Sequence, residues 1–178
     1  IRYRRDTLYL DPRHSKLGAR LIINLEKLHL SLKLLNLKSS NIDEYYAFSR
    51  DLGIPQINTN KLQNEIFGIE CNLEELNGID FKKGCYIGQE NTARIKLKNK
   101  LNKRLFAIKV LSGKVNQGET IYLNNTEIGK ILINGKFSFG VIKFKSLKED
   151  QFNLLNTLSG KISILNPDWI KIKNNYKH

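Results

Sequence analysis

The spacing of apolar and polar positions predicts a first part of the chain that mixes strands and helices. Residues 2–23 alternate in short runs that are typical of strands, and a turn interrupts them at residues 11–13. Residues 25–37 are rich in leucine and nearly free of helix breakers, which predicts a helix. A second helix is predicted between Asn41 and Gly53, because acidic residues occupy its first turn and glycine suits its end.

Toward the C-terminus the pattern changes to short apolar runs that glycine or asparagine separates. Such runs predict a small antiparallel β-barrel or a β-sandwich. Before them, residues 72–78 predict a short capped helix, and another helix is expected to begin near Tyr86 or Ile87. We therefore expect an α+β domain over residues 1–100 and a β-barrel domain over residues 101–178. The predicted strands are 105–110, 120–123, 127–133, 137–144 and 161–165.

The composition indicates a packed core, because 40% of the 178 residues are hydrophobic. The longest apolar runs are only a few residues, so neither a secretory signal nor a membrane span is predicted. Cys71 and Cys85 are too few for a disulfide framework or a self-contained zinc site, which indicates a reducing cytosol. Because the chain begins at Ile1 and contains no methionine, we expect that an N-terminal part is missing.

The net charge of +13 accompanies a general abundance of lysine, asparagine and isoleucine, which is typical of AT-rich genomes. The charge alone therefore does not indicate nucleic-acid binding. The cluster over residues 94–104 is more informative, because it contains six basic residues and no acidic one. Such a stripe suits phosphates or RNA, or it is a solvated surface of a lysine-rich protein. The stripe has no aromatic residue, so base stacking is not indicated.

Residues 83–90, which read Lys-Gly-Cys-Tyr-Ile-Gly-Gln-Glu, carry the candidate chemistry. Gly84 would permit a backbone bend that side chains forbid, and Gly88 would permit the close approach of another chain or a ligand. Such a turn would present Cys85 at a fixed place, and the two lysines before it would favour the thiolate, the form that reacts or binds metal. The alternative is that Cys85 is a small apolar residue packed beside a tight turn.

This stretch resembles the Lys-Gly-Cys-aromatic-x-Gly-Gln-Glu motif of the YgfZ-type folate-binding proteins, which are relatives of the aminomethyltransferase (T-protein) of glycine cleavage. The flanking sequences resemble the family in the same order and spacing, over almost the whole chain. Because the family has a further N-terminal part, the chain is similar to an N-terminally truncated member. The flanking sequences are Asp11-Pro12-Arg13, Leu17-Gly18-x-Arg20, Gly53-Ile54-Pro55, residues 70–81, Thr92-Ala93-Arg94 and Lys103-Arg104-Leu105.

The resemblance implies an α+β fold in which the C-terminal part of a T-protein-like folate-binding domain precedes a small antiparallel β-barrel. It implies tetrahydrofolate as the cofactor and a role as an accessory factor in iron–sulfur cluster assembly or repair. That role would be linked to iron–sulfur enzymes that modify tRNA, so the expected partners are iron–sulfur proteins and, in addition, tRNA. A cytoplasmic localisation is expected, with no membrane partner and no resident metal ion.

The resemblance also implies roles for individual residues. Cys85 is the expected reactive thiol, and Lys83 is expected to lower its pKa. Asp51 and Arg94 are expected to contact folate, because a carboxylate can accept the adjacent N–H donors of a pterin and an arginine can bind a polyglutamate tail. The expected scaffold of the motif consists of Gly84, Tyr86, Gly88, Gln89 and Glu90.

Two alternatives from other functional classes stay open. One is an enzyme, a tetrahydrofolate-dependent aminomethyltransferase that moves a one-carbon unit to folate. The cysteine argues against it, since that reaction needs acid–base positioning and not a thiol. The other is a non-catalytic basic module that binds RNA through residues 94–104, with an affinity that falls steeply with salt.

Overall fold

A computed structural model describes residues 2–3, 6–84, 89–98 and 101–170. The chain forms two compact units, Ile1–Tyr45 and Tyr46–His178, and each is described by itself. Compactness alone does not define folding domains, so the predicted division at residues 100 and 101 stays a prediction.

The first unit contains a three-stranded antiparallel sheet. Its strands are β1 (Arg2–Tyr3), β2 (Asp6–Leu10) and β3 (Ala19–Ile22), in the order β1-β2-β3. The backbone N–H of Asp11 donates to the carbonyl of Gly18 at 2.8 Å, which closes the connection between β2 and β3. The strands and the turn predicted for residues 2–23 are therefore confirmed.

Helix α1 spans Leu25–Leu34, and the side chain of Asn24 caps it by accepting the backbone N–H of Glu26 at 3.0 Å. The helix is confirmed but ends three residues earlier than predicted. Asn36 has a left-handed backbone with a φ of 52°, which does not continue a right-handed helix. Helix α2 spans Ile42–Asp51 as predicted.

A buried carboxylate holds the turn between β2 and β3. The side chain of Asp11 is 1% exposed and accepts hydrogen bonds from Arg13 Nη2 at 2.8 Å and Arg20 Nε at 2.7 Å. The hydrogen bond from Arg13 holds the pKa of Asp11 well below its usual range; burial opposes this effect, and Arg20 adds to it. The ionised form of Asp11 therefore stabilises this turn.

We expect acid to destabilise the first unit through Asp11. Because the pKa is lower in the folded state, the stabilisation is complete above the unfolded pKa of about 3.9 and is lost as the pH falls below it. Asp11→Asn is expected to lower the local stability at neutral pH by about 2 kcal/mol, the range of hydrogen bonds to charged groups. It should also flatten the pH dependence in acid.

Amide hydrogen-exchange protection of residues 6–22, measured from neutral to acidic pH, tests this expectation. Glu26→Gln is the matched control, because Glu26 is an exposed carboxylate on the same unit. If Asp11→Asn kept the wild-type protection and its pH dependence, the proposed stabilisation by the ionised carboxylate would be wrong.

After α2, the chain of the second unit forms a connection that contains a 3₁₀ turn at Thr59–Leu62. Residues 63–65 and 68–77 then form turns, and helix α3 spans Gln89–Leu97. The helix predicted over residues 72–78 is wrong. Asn72 and Asn77 have left-handed backbones with φ values of 61° and 58°, which interrupt a right-handed helix.

The rest of the second unit is a closed antiparallel barrel of six strands in the order β4-β7-β6-β5-β8-β9. The predicted antiparallel barrel is therefore confirmed, with β8 as a strand that the sequence did not predict, whereas the T-protein-like origin of the preceding part stays a prediction. The strands are β4 (Lys103–Gly113), β5 (Thr120–Leu123), β6 (Thr126–Ile133), β7 (Ser138–Lys143), β8 (Leu155–Asn156) and β9 (Gly160–Leu165).

Both faces of the first barrel strand are buried over residues 105–108. Phe106 and Ile108 belong to the main core cluster, while Leu105 and Ala107, which alternate with them, belong to a second cluster. Leu62, Ile66 and Cys71 pack against this second cluster. The turns of residues 62–71 thus cover one side of the barrel.

No helix among the described residues has the length and the apolar character that are needed to cross a membrane.

Candidate functional site

The structure describes both sides of the cysteine motif but not its centre. Cys85, Tyr86 and Gly88 lie outside the described residues, so their predicted roles stay predictions. The same holds for the helix start predicted near Tyr86 or Ile87. On the N-terminal side, Lys83 and Gly84 are exposed, and on the C-terminal side α3 is described from Gln89 onward, with Glu90 exposed in its first turn.

A short polar turn leads into the motif. The carboxylate of Asp80 accepts the backbone N–H of Lys82 at 2.8 Å, a local hydrogen bond that is typical of turns. Gly84 has a φ outside the left-handed region, and a Cβ added there would meet no atom of another described residue within 4 Å. The four residues that follow Gly84 lie outside the described residues, so the predicted backbone bend stays a prediction.

One lysine joins the two sides of the motif. Lys96 on α3 forms an ion pair with Glu74, and its ammonium lies 5.0 Å from the centre of the Phe81 ring. Glu74 and Phe81 precede the motif in sequence, whereas Lys96 follows it. These contacts hold the last turn of α3 against the turns that precede the motif, and α3 itself connects that turn to the C-terminal end of the motif.

Of the basic residues over 94–104, Arg94, Lys98 and Lys103 are exposed, whereas two others are held within the protein. Lys96 and Arg104 are engaged in ion pairs within the protein, and Lys100 lies outside the described residues. Leu97, which lies between Lys96 and Lys98, is 83% exposed. Arg94 is exposed on α3, and its predicted contact with folate stays a prediction.

A buried arginine anchors the turns that precede the motif. Arg104, at the start of β4, is 6% exposed. Its guanidinium donates to Asn72 Oδ1 at 2.7 Å, contacts Glu75 Oε1 at 2.6 Å, and lies 5.6 Å from the centre of the Phe144 ring. The Asn72 amide in turn donates to the Leu105 carbonyl at 2.8 Å.

This arrangement fixes residues 70–75 on the first barrel strand. The Leu105 N–H also donates to the Glu70 carbonyl at 2.8 Å, so backbone and side chains act together. Sequence reasoning missed this cluster, because Asn72 and Arg104 are 32 residues apart. The sequence offered one signal of the cluster, because Asn72 and Arg104 both lie in segments that resemble the family.

Of the two cysteines, the structure describes Cys71. Cys71 is partly buried against the second cluster of the barrel, which contains Leu105 and Ala107. Burial, together with the charge of Glu70, raises the pKa of its thiol to about 11. At neutral pH, about one Cys71 thiol in ten thousand is then ionised. Cys71 is therefore a poor candidate for thiolate chemistry at neutral pH, and the reactivity of Cys85 stays a prediction.

The predicted folate carboxylate lies at the last residue of α2. Asp51 is more than half exposed, and the neighbouring Arg50 donates to its Oδ1 from Nε at 3.0 Å and from Nη2 at 2.6 Å. A pterin that used both carboxylate oxygens would share Oδ1 with this guanidinium. The exposed carboxylate is accessible to a pterin edge, and its contact with folate stays a prediction.

Within the part of the chain that the structure describes, no group of three or more His, Cys, Asp or Glu side chains could hold a metal ion.

Comparison with known proteins gives partial matches of moderate identity. The chain is 36% identical over 103 residues to the iron–sulfur cluster assembly factor IBA57 homolog of Dictyostelium discoideum, over 57% of this chain and 25% of that protein. It is 34% identical over 95 residues to the Neurospora crassa homolog, over 53% and 21% of the two chains. It is 33% identical over 104 residues to human IBA57, over 58% and 28%. No protein-family model matches the chain.

These comparisons correct one prediction. The three relatives are named as mitochondrial proteins, which points to mitochondria, so the cytoplasmic localisation expected from the sequence is wrong. The matches span about a quarter of the length of these relatives. Over that segment, the chain is similar to mitochondrial iron–sulfur cluster assembly factors.

Proposed function

We propose that this protein acts in the assembly of iron–sulfur clusters as an accessory factor. The observation that carries the proposal is the similarity of the chain to iron–sulfur cluster assembly factors from an amoeba, a fungus and a mammal, at 33–36% identity. The expected partners are proteins of the cluster assembly machinery and the iron–sulfur proteins that receive clusters.

Within this role we propose Cys85 as the working thiol. Its thiolate would coordinate an iron atom of a cluster in transit, and Lys83, exposed two residues earlier, would favour the ionised form. The raised pKa of Cys71 supports this choice, because it removes the other cysteine from thiolate chemistry at neutral pH. The contacts of Lys96 support it as well, because they hold α3 against the turns that precede the motif, and a positioned ligand binds metal better than a mobile one.

Two finer proposals follow from the family resemblance. Tetrahydrofolate would bind through Asp51, with Arg94 contacting its acidic tail, and the client proteins would include iron–sulfur enzymes that modify tRNA. The RNA-binding alternative loses its main support, because Lys96 and Arg104 are engaged within the protein and do not extend a basic surface.

The proposed function is tested by rescue of human cells whose own cluster assembly factor has been silenced. The chain is delivered to mitochondria, alone and in place of the matching segment of the human relative, so that the unmatched parts of that relative do not decide the result. We expect the chimera to restore the activity of mitochondrial iron–sulfur enzymes and leave iron-free enzymes unchanged. A folded, expressed chimera that restores none of that activity contradicts the proposal.

A further inference from the structure

The outer face of the barrel carries a groove along β6. Two adjoining cavities of about 350 and 200 Å³ share Glu65, Lys130 and Leu132 in their walls, and we call them together the β6 groove. The larger cavity alone is within the size range of ligand pockets, about 300–1,000 Å³. An ion pair of 3.1 Å between Lys130 and Glu65 lies where the two cavities meet.

Two lysines lie directly opposite each other at one end of the β6 groove. Lys103 on β4 pairs in register with Lys143 on β7, and both side chains are exposed. Directly opposite positions on antiparallel strands bring Cβ atoms within about 4.5–5.5 Å, so like charges there destabilise the sheet. Within the described residues, neither ammonium forms an ion pair that would relieve this repulsion.

The same groove contains carboxylates. Glu127 lines the smaller cavity with the two lysines, and it also forms no ion pair with another described residue. Glu65, the partner of Lys130, lines both cavities. A nucleic-acid backbone carries a negative charge at every unit and would be repelled at Glu127, whose charge no described residue neutralises in an ion pair. A peptide can alternate its charges and match both signs.

We propose that the β6 groove binds an extended peptide segment of a partner protein, with two acidic residues at Lys103 and Lys143 and a basic residue at Glu127. In an extended peptide, alternate side chains point to one side at a spacing of about 6.5–7 Å. Two long lysine side chains can splay to that distance from adjacent strands. A second copy of this chain is a poor occupant, because a net charge of +13 opposes self-association at a lysine pair. The inference does not rest on the iron–sulfur role.

The test uses the whole chain and two fluorescein-labelled peptides in anisotropy titrations at low salt. One peptide has the sequence Gly-Glu-Val-Glu-Ser-Lys-Ser-Gly, and the other reverses its charges as Gly-Lys-Val-Lys-Ser-Glu-Ser-Gly. We expect the first peptide to bind and the second to bind much more weakly. The double variant Lys103→Gln/Lys143→Gln should weaken the first peptide about fivefold or more, the effect of losing two exposed ion pairs.

The matched control is the double variant Lys109→Gln/Lys161→Gln, which removes the same charge from exposed positions on β4 and β9. It should change the affinity less than about twofold. The proposal is overturned if both double variants weaken binding equally, or if neither peptide binds at about 1 mM protein. It is also overturned if inorganic phosphate or a single-stranded RNA binds the protein and Lys103→Gln/Lys143→Gln removes that binding.

A second measurement separates a binding role from a structural one. Because the opposed lysines repel each other, Lys103→Gln/Lys143→Gln should raise the Tm of the barrel, by about 1–3 °C, while it weakens the peptide. A lower Tm in this variant would mean that the lysines stabilise the barrel, and the proposal would be overturned.

Discussion

Arg104→Ala is expected to lower the free energy of unfolding of the second unit by about 3–5 kcal/mol, the range for breaking a buried ion pair by removing one partner. The guanidinium contacts Asn72 and Glu75 in a site where Arg104 is 6% exposed. Alanine would leave the Asn72 oxygen and the Glu75 carboxylate without that partner. The loss should also release residues 70–75 from β4.

Chemical denaturation followed by the fluorescence of Trp169 measures this effect. Trp169 is the one tryptophan of the chain, it packs against the barrel core, and its indole N–H donates to the Leu52 carbonyl at 2.9 Å. Lys109→Ala, on the exposed side of the same strand, is the control and should cost less than about 0.5 kcal/mol. Arg104→Ala with a similarly small effect would show that the buried cluster does not hold the turns on the barrel.

Cys85→Ser is expected to abolish the rescue of mitochondrial iron–sulfur enzymes by the chimera described above. Serine keeps the size of the side chain, but its hydroxyl is not ionised at neutral pH and is a poor ligand for iron in clusters, which are held by thiolates. The loss should therefore be close to that of the empty vector, without a loss of protein.

Cys71→Ala is the matched control for the reactive thiol. The raised pKa of Cys71 keeps its thiol protonated, so we expect this variant to rescue as well as the wild type. Equal rescue by Cys85→Ser and the wild type would remove the proposed role of the motif cysteine, while the role in cluster assembly would stand on the rescue itself.

The strands and turns of the barrel were predictable because their signals are local. β5 was predicted with its observed ends, and β6 differs by one residue at its start. Asn124 and Asn125 between them both have left-handed backbones, which is the two-residue turn that asparagine favours in β-hairpins. Local preference and tertiary structure agree here, so the pattern was sufficient.

The turns before the motif were not predictable in the same way. Residues 72–78 have a helical pattern, but Asn72 uses both ends of its amide on β4 and takes a left-handed backbone. Its partners are 32 and 33 residues away in sequence, and no local rule contains them. The burial of Arg104 was not predictable for the same reason, because the residues that bury it are distant in sequence and a count of charges does not include them.

The motif of the candidate site was predictable from the sequence, but the contacts that position the two sides of the motif were not. The resemblance identified Cys85 and its glycines, but nothing in the sequence indicated that Lys96 would join both sides of the motif through Glu74 and Phe81. The cytoplasmic localisation was inferred from cysteine usage, which reports a reducing compartment and does not distinguish the cytosol from the mitochondrial matrix.

The claim that Cys85 is the working thiol is tested most directly by the pH dependence of its alkylation in a Cys71→Ala background. With one thiol left, the rate of labelling between about pH 5 and 10 reports the thiolate of Cys85 alone. We expect an apparent pKa well below the unperturbed value of about 8.5. An apparent pKa at or above that value, with slow labelling, would contradict the account and leave Cys85 as a structural residue.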